Sequence, residues 1–152
     1  MIRYVHTNII AKDVANLIAF YKQVFRCRSI GETRNLQGEW LDKMTSLNHT
    51  HITGEHLLLP GYEDEHPTLE IFSYDEMKSR MPAEINRLGI THIAFEVDNV
   101  EETLAKVIEH GGKAYGELVK ADYPNDMEAI FVYAQDPEGN IIELQSWSKK
   151  AK

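Results

Sequence analysis

The chain has 152 residues, 43% of them apolar, which suffices for one buried core and excludes an intrinsically disordered segment. Acidic side chains outnumber basic ones 24 to 16, for a net charge of −8, so the concentrated Lys and Arg that nucleic acid or an anionic membrane demands are missing. Cys27 is the one cysteine, which rules out an internal disulfide and a cysteine-built zinc site, and it reads as a small core residue. The N-terminal residues 1–13 show no apolar leader pattern, and no apolar run nears the ~20 residues that span a bilayer. A cytoplasmic protein without nucleic-acid or membrane partners is expected. The basic run Lys149, Lys150 and Lys152 reads as a frayed end.

The chain is written twice. From His6 to Val14 and from His92 to Val100 the two stretches align without a gap: a strand carrying His, then Asp13 or Asn99, then Val. Val14, Leu17, Ile18, Tyr21 and Phe25 then recur at helical spacing, and Val100, Leu104, Val107 and Ile108 do much the same. Asn99, with Glu102 three residues on, predicts a helix start, and Gly111–Gly112 a stop. Strand-like runs follow each helix, at 27–33, 51–59 and 68–74 in the first half and 113–119, 128–134 and 141–147 in the second. Asp136 to Asn140 (DPEGN) predicts a tight turn joining the last two as a hairpin. Trp40, Leu41, Met44 and Leu47 have helical spacing within 36–48, an insertion peculiar to the first half. The fold class is therefore α+β, two tandem βαβββ modules in one domain over 1–152. Module one covers about 1–74, a linker marked by Pro82 about 75–88, and module two about 89–148.

Strand alternation sorts the side chains. In the first strand, Val5 and Ile9 are expected to pack against a helix while His6 faces the other way. Ile93, Phe95 and Val97 form the apolar face of the matching strand, leaving His92, Ala94 and Glu96 opposite. Near the end of each module stands a carboxylate, Glu70 or Glu143. Imidazole nitrogen and carboxylate oxygen suit borderline divalent ions, and two carboxylates balance the charge of one. His6, Glu70, His92 and Glu143 are accordingly the expected ligands of one divalent ion of Ni, Co, Zn, Mn or Fe. A lone strand His or Glu carries no such weight; the recurrence at matching places does. Glu96 reads as a solvated strand end. His49, His51, His56 and His66 are scattered over a loop-rich stretch and read as a solvated polar segment. Trp40, Phe72 and Tyr74 could line a pocket, although aromatic side chains more often serve packing.

The run from Tyr4 to His6, the Phe20–Tyr21 helix end, Gly89 to Phe95 (GITHIAF) and Asp136 to Leu144 (DPEGNIIEL) resemble the vicinal-oxygen-chelate superfamily of glyoxalases, bleomycin-resistance proteins and extradiol dioxygenases. The resemblance covers nearly the whole chain. It implies one cup-shaped mixed sheet with helices outside, a homodimer, and a small-molecule substrate with vicinal oxygens. The ligand order His, Glu, His, Glu is similar to glyoxalase I and close to methylmalonyl-CoA epimerase. It implies a metal-dependent lyase or isomerase that moves a proton next to a carbonyl through a metal-stabilised enediolate or enolate, with Glu143 or Glu70 as base and the choice between them open. A non-catalytic binding protein of the bleomycin-resistance type and an iron-dependent extradiol dioxygenase are the alternatives. Arg3 is the one candidate for a glutathione carboxylate, so a class is implied rather than a substrate.

Overall fold

The computed structural model describes residues 1–65 and 67–150, and the chain divides into two compact units, Met1–Arg80 and Met81–Lys152. The division falls inside the stretch 75–88 that separates the two repeats. In the first unit the elements are β1 (His6–Ile10), α1 (Val14–Phe25), β2 (Arg28–Gln37), α2 (Glu39–Thr45), β3 (His51–Leu58) and β4 (Thr68–Tyr74). Its sheet runs β1-β4-β3-β2, with β1 and β4 parallel and the other pairs antiparallel. In the second unit β5 (His92–Glu96), α3 (Val100–Glu109), β6 (Lys113–Ala114), β7 (Val119–Tyr123), β8 (Met127–Gln135) and β9 (Ile141–Lys149) form a sheet ordered β5-β9-β8-β6, with β7 also on β8. Again the first and last strands are parallel and the rest antiparallel. The α+β class holds, as two mixed sheets of matching topology.

Both main helices begin where the repeat predicts. The Asp13 side chain accepts the Asn16 N–H at 3.1 Å, and the Asn99 side chain accepts that of Glu102 at 3.1 Å. Each cap satisfies a backbone donor that the first helical turn leaves over. α1 turns Leu17, Phe20, Tyr21 and Phe25 onto one face of its sheet, where Leu57, Leu69 and Ile71 are buried. α3 does the same with Val100 and Val107 over Val132, Ile142 and Leu144. Ile9 is half-buried on this inner face, but Val5 precedes β1 and is exposed rather than packed on a helix. Cys27 is buried in the first core, and that burial pushes its thiol up to about 12, which keeps it protonated and unreactive. No helix among the described residues is long and apolar enough to cross a membrane.

Two stretches refine the sequence reading most, the insertion and the run 113–119. The short helix expected within 36–48 is α2: Leu36 and Gln37 ahead of it stay in β2, paired with Ile52 and His51, and Leu47 lies beyond its end. Asp42 closes its far end by accepting the N–H groups of Thr50 at 2.7 Å and His49 at 3.0 Å; the Thr50 bond is the main reason its carboxyl lies below its ordinary value. The run 113–119 is not one strand. β6 stops at Ala114, the chain turns at Tyr115 and Gly116 on the Tyr133 carbonyl, and β7 resumes pairing further along β8.

Candidate functional site

The face of each sheet turned away from its main helix carries the predicted residues. In module one β1 pairs Asn8 with Glu70 of β4, which places His6 one pleat before it on the same side. His6 Nε2 lies 3.4 Å from Glu70 Oε2. In module two β5 pairs Ala94 with Glu143 of β9, and His92 Nε2 lies 3.1 Å from Glu143 Oε2. The other ring nitrogen of His92 meets the Thr91 hydroxyl at 3.1 Å, a contact that fixes the ring while Nε2 points at the carboxylate. The structure thus joins the four candidates as two His–Glu pairs, one in each unit. Among the described residues, no three or more His, Cys, Asp or Glu converge closely enough to hold a metal ion.

The donor geometry of each pair fits a share in such an ion. Two ligand atoms each about 2.1 Å from one metal lie roughly 3.0–3.4 Å apart for angles between octahedral and tetrahedral. The observed separations, 3.1 and 3.4 Å, fall in that window. The same spacing serves a hydrogen bond, so each pair is also satisfied without an ion.

Strand register adds residues that the sequence reading missed. His56 of β3 stands opposite Glu70, its Nε2 3.2 Å from Glu70 Oε1, and its ring packs edge-on against Phe72 with centroids 5.5 Å apart. It does not belong to a solvated segment. Asn8 donates its side-chain N–H to Glu70 Oε2 at 3.1 Å. Glu70 is therefore held at both oxygens and buried to 10% side-chain exposure. In module two the place of His56 is taken by Tyr133, opposite Glu143 on β8. The tyrosine hydroxyl is raised above its ordinary pKa by burial first, then by the charge of Glu143 and a hydrogen bond to it. The Glu143 side chain remains more open, at 18%.

The sequence reading did not single out Tyr133, although a signal for it was present. The Asp136 turn, whose carboxylate accepts the N–H groups of Glu138 and Asn140 at 2.9 Å each, fixes the hairpin and hence the Tyr133–Glu143 pairing. The loop between β3 and β4 has no such compact signature, so nothing in the sequence set His56 against Glu70. His56→Gln keeps a polar side chain but loses the imidazole, and it should weaken binding of a divalent ion by about 10- to 100-fold, as measured by calorimetry. Unaltered affinity would mean that His56 does not orient Glu70.

The remaining candidates are placed elsewhere. His51 is occupied on both ring nitrogens, by Asp75 at 2.9 Å and Asn35 at 2.8 Å. His49 contributes its backbone to the end of α2, and His66 lies outside the described residues. Glu96 is exposed at the end of β5, as expected. Phe72 and Tyr74 do not line an open pocket: Leu41 of α2 packs onto Phe72 and Ile52, with Leu36 and Tyr74 beside them. Trp40 points outward from α2 and is 54% exposed. A cavity of about 500 Å³ is lined by Arg3, Tyr4, Tyr62, Glu63, Asp64 and Pro67, where acidic neighbours make Arg3 a poor receptor for a carboxylate.

Several solved structures share the fold. A glyoxalase family protein from Bacillus cereus superposes with a TM-score of 0.81 at 23% identity, covering 97% of this chain and 95% of that one. The trypanothione-dependent glyoxalase I of Leishmania major gives 0.62 at 24% identity, with 96% and 87% covered. A fosfomycin resistance protein from Listeria monocytogenes, solved with Mn(II) and sulfate, gives 0.54 at 18% identity, with 96% and 91% covered. No curated protein matches the chain. The family model described as Glyoxalase/Bleomycin resistance protein/Dioxygenase superfamily matches residues 3–144, and the chain belongs to that superfamily.

Proposed function

We propose that this protein is a glyoxalase-like lyase or isomerase that binds one divalent ion through His6, Glu70, His92 and Glu143 and moves a proton next to a carbonyl group. The observation that carries this reading is the recurrence of one His–Glu pair, at metal-ligand spacing, on equivalent strands of both modules. When bound, a divalent ion supplies Lewis-acid polarisation of substrate oxygens.

The two carboxylates differ in what surrounds them. Glu70 is clamped by His6, His56 and Asn8, which suits a fixed ligand. Glu143 is more open and has the Tyr133 hydroxyl beside it, so it is the residue to take a proton from carbon and return it. The Tyr133 hydroxyl stands beside the Glu143 carboxylate on the facing strand. The substrate is a small molecule with vicinal oxygens, and a homodimer in the cytoplasm is the working assembly and location.

Metal content by elemental mass spectrometry tests the reading. After incubation with Ni, Co, Zn or Mn the wild type should retain about one ion per chain, and a His6→Ala/Glu143→Ala variant should retain far less, with affinity lower by at least about 100-fold. Absence of bound metal in both proteins would leave a non-catalytic small-molecule binding protein of the bleomycin-resistance type as the better account.

A further inference from the structure

The duplication supplies an internal comparison for the surface beyond each carboxylate. In module one the next residues on the same face, Phe72 and Tyr74 of β4 and Ile52 of β3, are roofed by Leu41 of α2. The register equivalents in module two are Gln145 and Trp147 of β9 and Ala129 of β8, with Phe131 standing opposite Gln145. Here no inserted helix occurs between β7 and β8, which are joined through the Asn125–Asp126 turn. Phe131 meets Trp147 edge-on at 5.6 Å between centroids, and Tyr123 of β7 lies 4.7 Å from Trp147. The Trp147 indole N–H donates to the Gln145 side-chain oxygen at 2.8 Å, which fixes the ring. These rings nevertheless remain open: Trp147 is 38% and Tyr123 42% exposed.

We infer that Phe131, Trp147 and Tyr123 are the subsite for a flat apolar group of the same small molecule whose oxygens meet the His92–Glu143 pair. The ligand fills the place that Leu41 fills in module one. This assignment rests on the functional reading above and narrows its substrate class to α-oxygenated carbonyl compounds that carry an aryl group without an anionic linker. Strand rise sets the reach: Gln145 and Phe131 lie about 7 Å from Glu143 along the sheet, and Trp147 about 13 Å. A ring attached directly to the oxygenated carbons reaches Phe131, and a fused bicyclic ring reaches Trp147. Charge disfavours an anionic linker, because the carboxylate of Glu96 stands in register with Gln145. Lys113 and Lys149 pair with Gln135 and Met127, at the two ends of this face, outside the stretch between pair and rings. Rigid aromatic walls also suit a flat partner, which stacks with little loss of side-chain freedom.

The test is a titration of the ¹⁵N-labelled, Zn(II)-loaded protein followed by the indole N–H resonances, with Trp40→Phe identifying that of Trp147. The probes are 2-hydroxy-1-(2-naphthyl)ethanone and hydroxyacetone, which share vicinal oxygens and differ in the ring. The naphthyl compound should shift the Trp147 signal saturably while hydroxyacetone leaves it in place. Phe131→Leu, which keeps the site apolar without the ring, and Trp147→Ala should each weaken naphthyl binding by about 10-fold. A Trp147 signal indifferent to the naphthyl compound, or equal affinity in the variants, would overturn the assignment. So would a signal that moves with protein concentration and not with ligand, since the rings would then face a second copy of the chain. Zinc measured on the same samples separates the two readings. Retained zinc without a Trp147 shift defeats the subsite alone, and a saturable shift in zinc-free protein supports the subsite while the metal reading fails.

Discussion

Glu143→Gln is expected to lower the rate of proton exchange at carbon next to a carbonyl by about 10²- to 10⁴-fold, the usual contribution of a positioned general base. The measurement is deuterium incorporation into an α-hydroxyketone in D₂O, followed by NMR with the protein held at saturating divalent ion. Glutamine preserves the size of the side chain and an oxygen donor, but cannot accept the proton. The β8–β9 pairing that carries Tyr133 and Glu143 is made by the backbone, so the hairpin is undisturbed. Glu70→Gln should act differently. Its oxygens are engaged by His56, His6 and Asn8, and the variant should need more metal for saturation while losing less of the saturated rate. The reverse ranking would make Glu70 the base, and unchanged exchange in both variants would remove the proposed mechanism.

Gly54→Ala should cost about 3 kcal/mol or more and lower the melting temperature by about 10 °C, as measured by thermal denaturation. Gly54 sits in β3 opposite Phe72 with a positive φ of +151°, a conformation that an L side chain rarely adopts. A Cβ there would stand 2.0 Å from the Ile71 carbonyl oxygen and 2.9 Å from Phe72 Cα. Both obstacles are backbone, so no rotamer change relieves them. Relief requires parting β3 from β4, the two strands that bring His56 to Glu70, and divalent-ion affinity should fall along with stability. A variant that melts within about 2 °C of wild type would show that the strands can separate locally at little cost.

Much of this fold was legible in the sequence because its signals are local or periodic. The helical spacing from Val14 to Phe25, the capping residues Asp13 and Asn99 and the Asp136–Asn140 turn each specify an element within a few residues, and each appears where the spacing puts it. The repeat then marked His6, Glu70, His92 and Glu143 as equivalent in pairs, since strand alternation fixes which face each one takes. The inserted helix was visible as a pattern from Trp40, but its end was not: Leu47 keeps the helical spacing, yet the helix stops at Thr45.

What the tertiary structure alone decided concerns contacts between segments distant in sequence. His56 and Glu70 meet through a long loop without a compact turn motif, so their register follows from packing across the whole of β3 and β4. The fates of Phe72 and Trp147 diverge for the same reason. Both were aromatic side chains on strands in the sequence; Leu41 covers the first, whereas a tight β7–β8 connection leaves the second open. Local sequence chose the elements and the chemical types of the site, while long-range strand pairing chose the neighbours that make the two glutamates unequal.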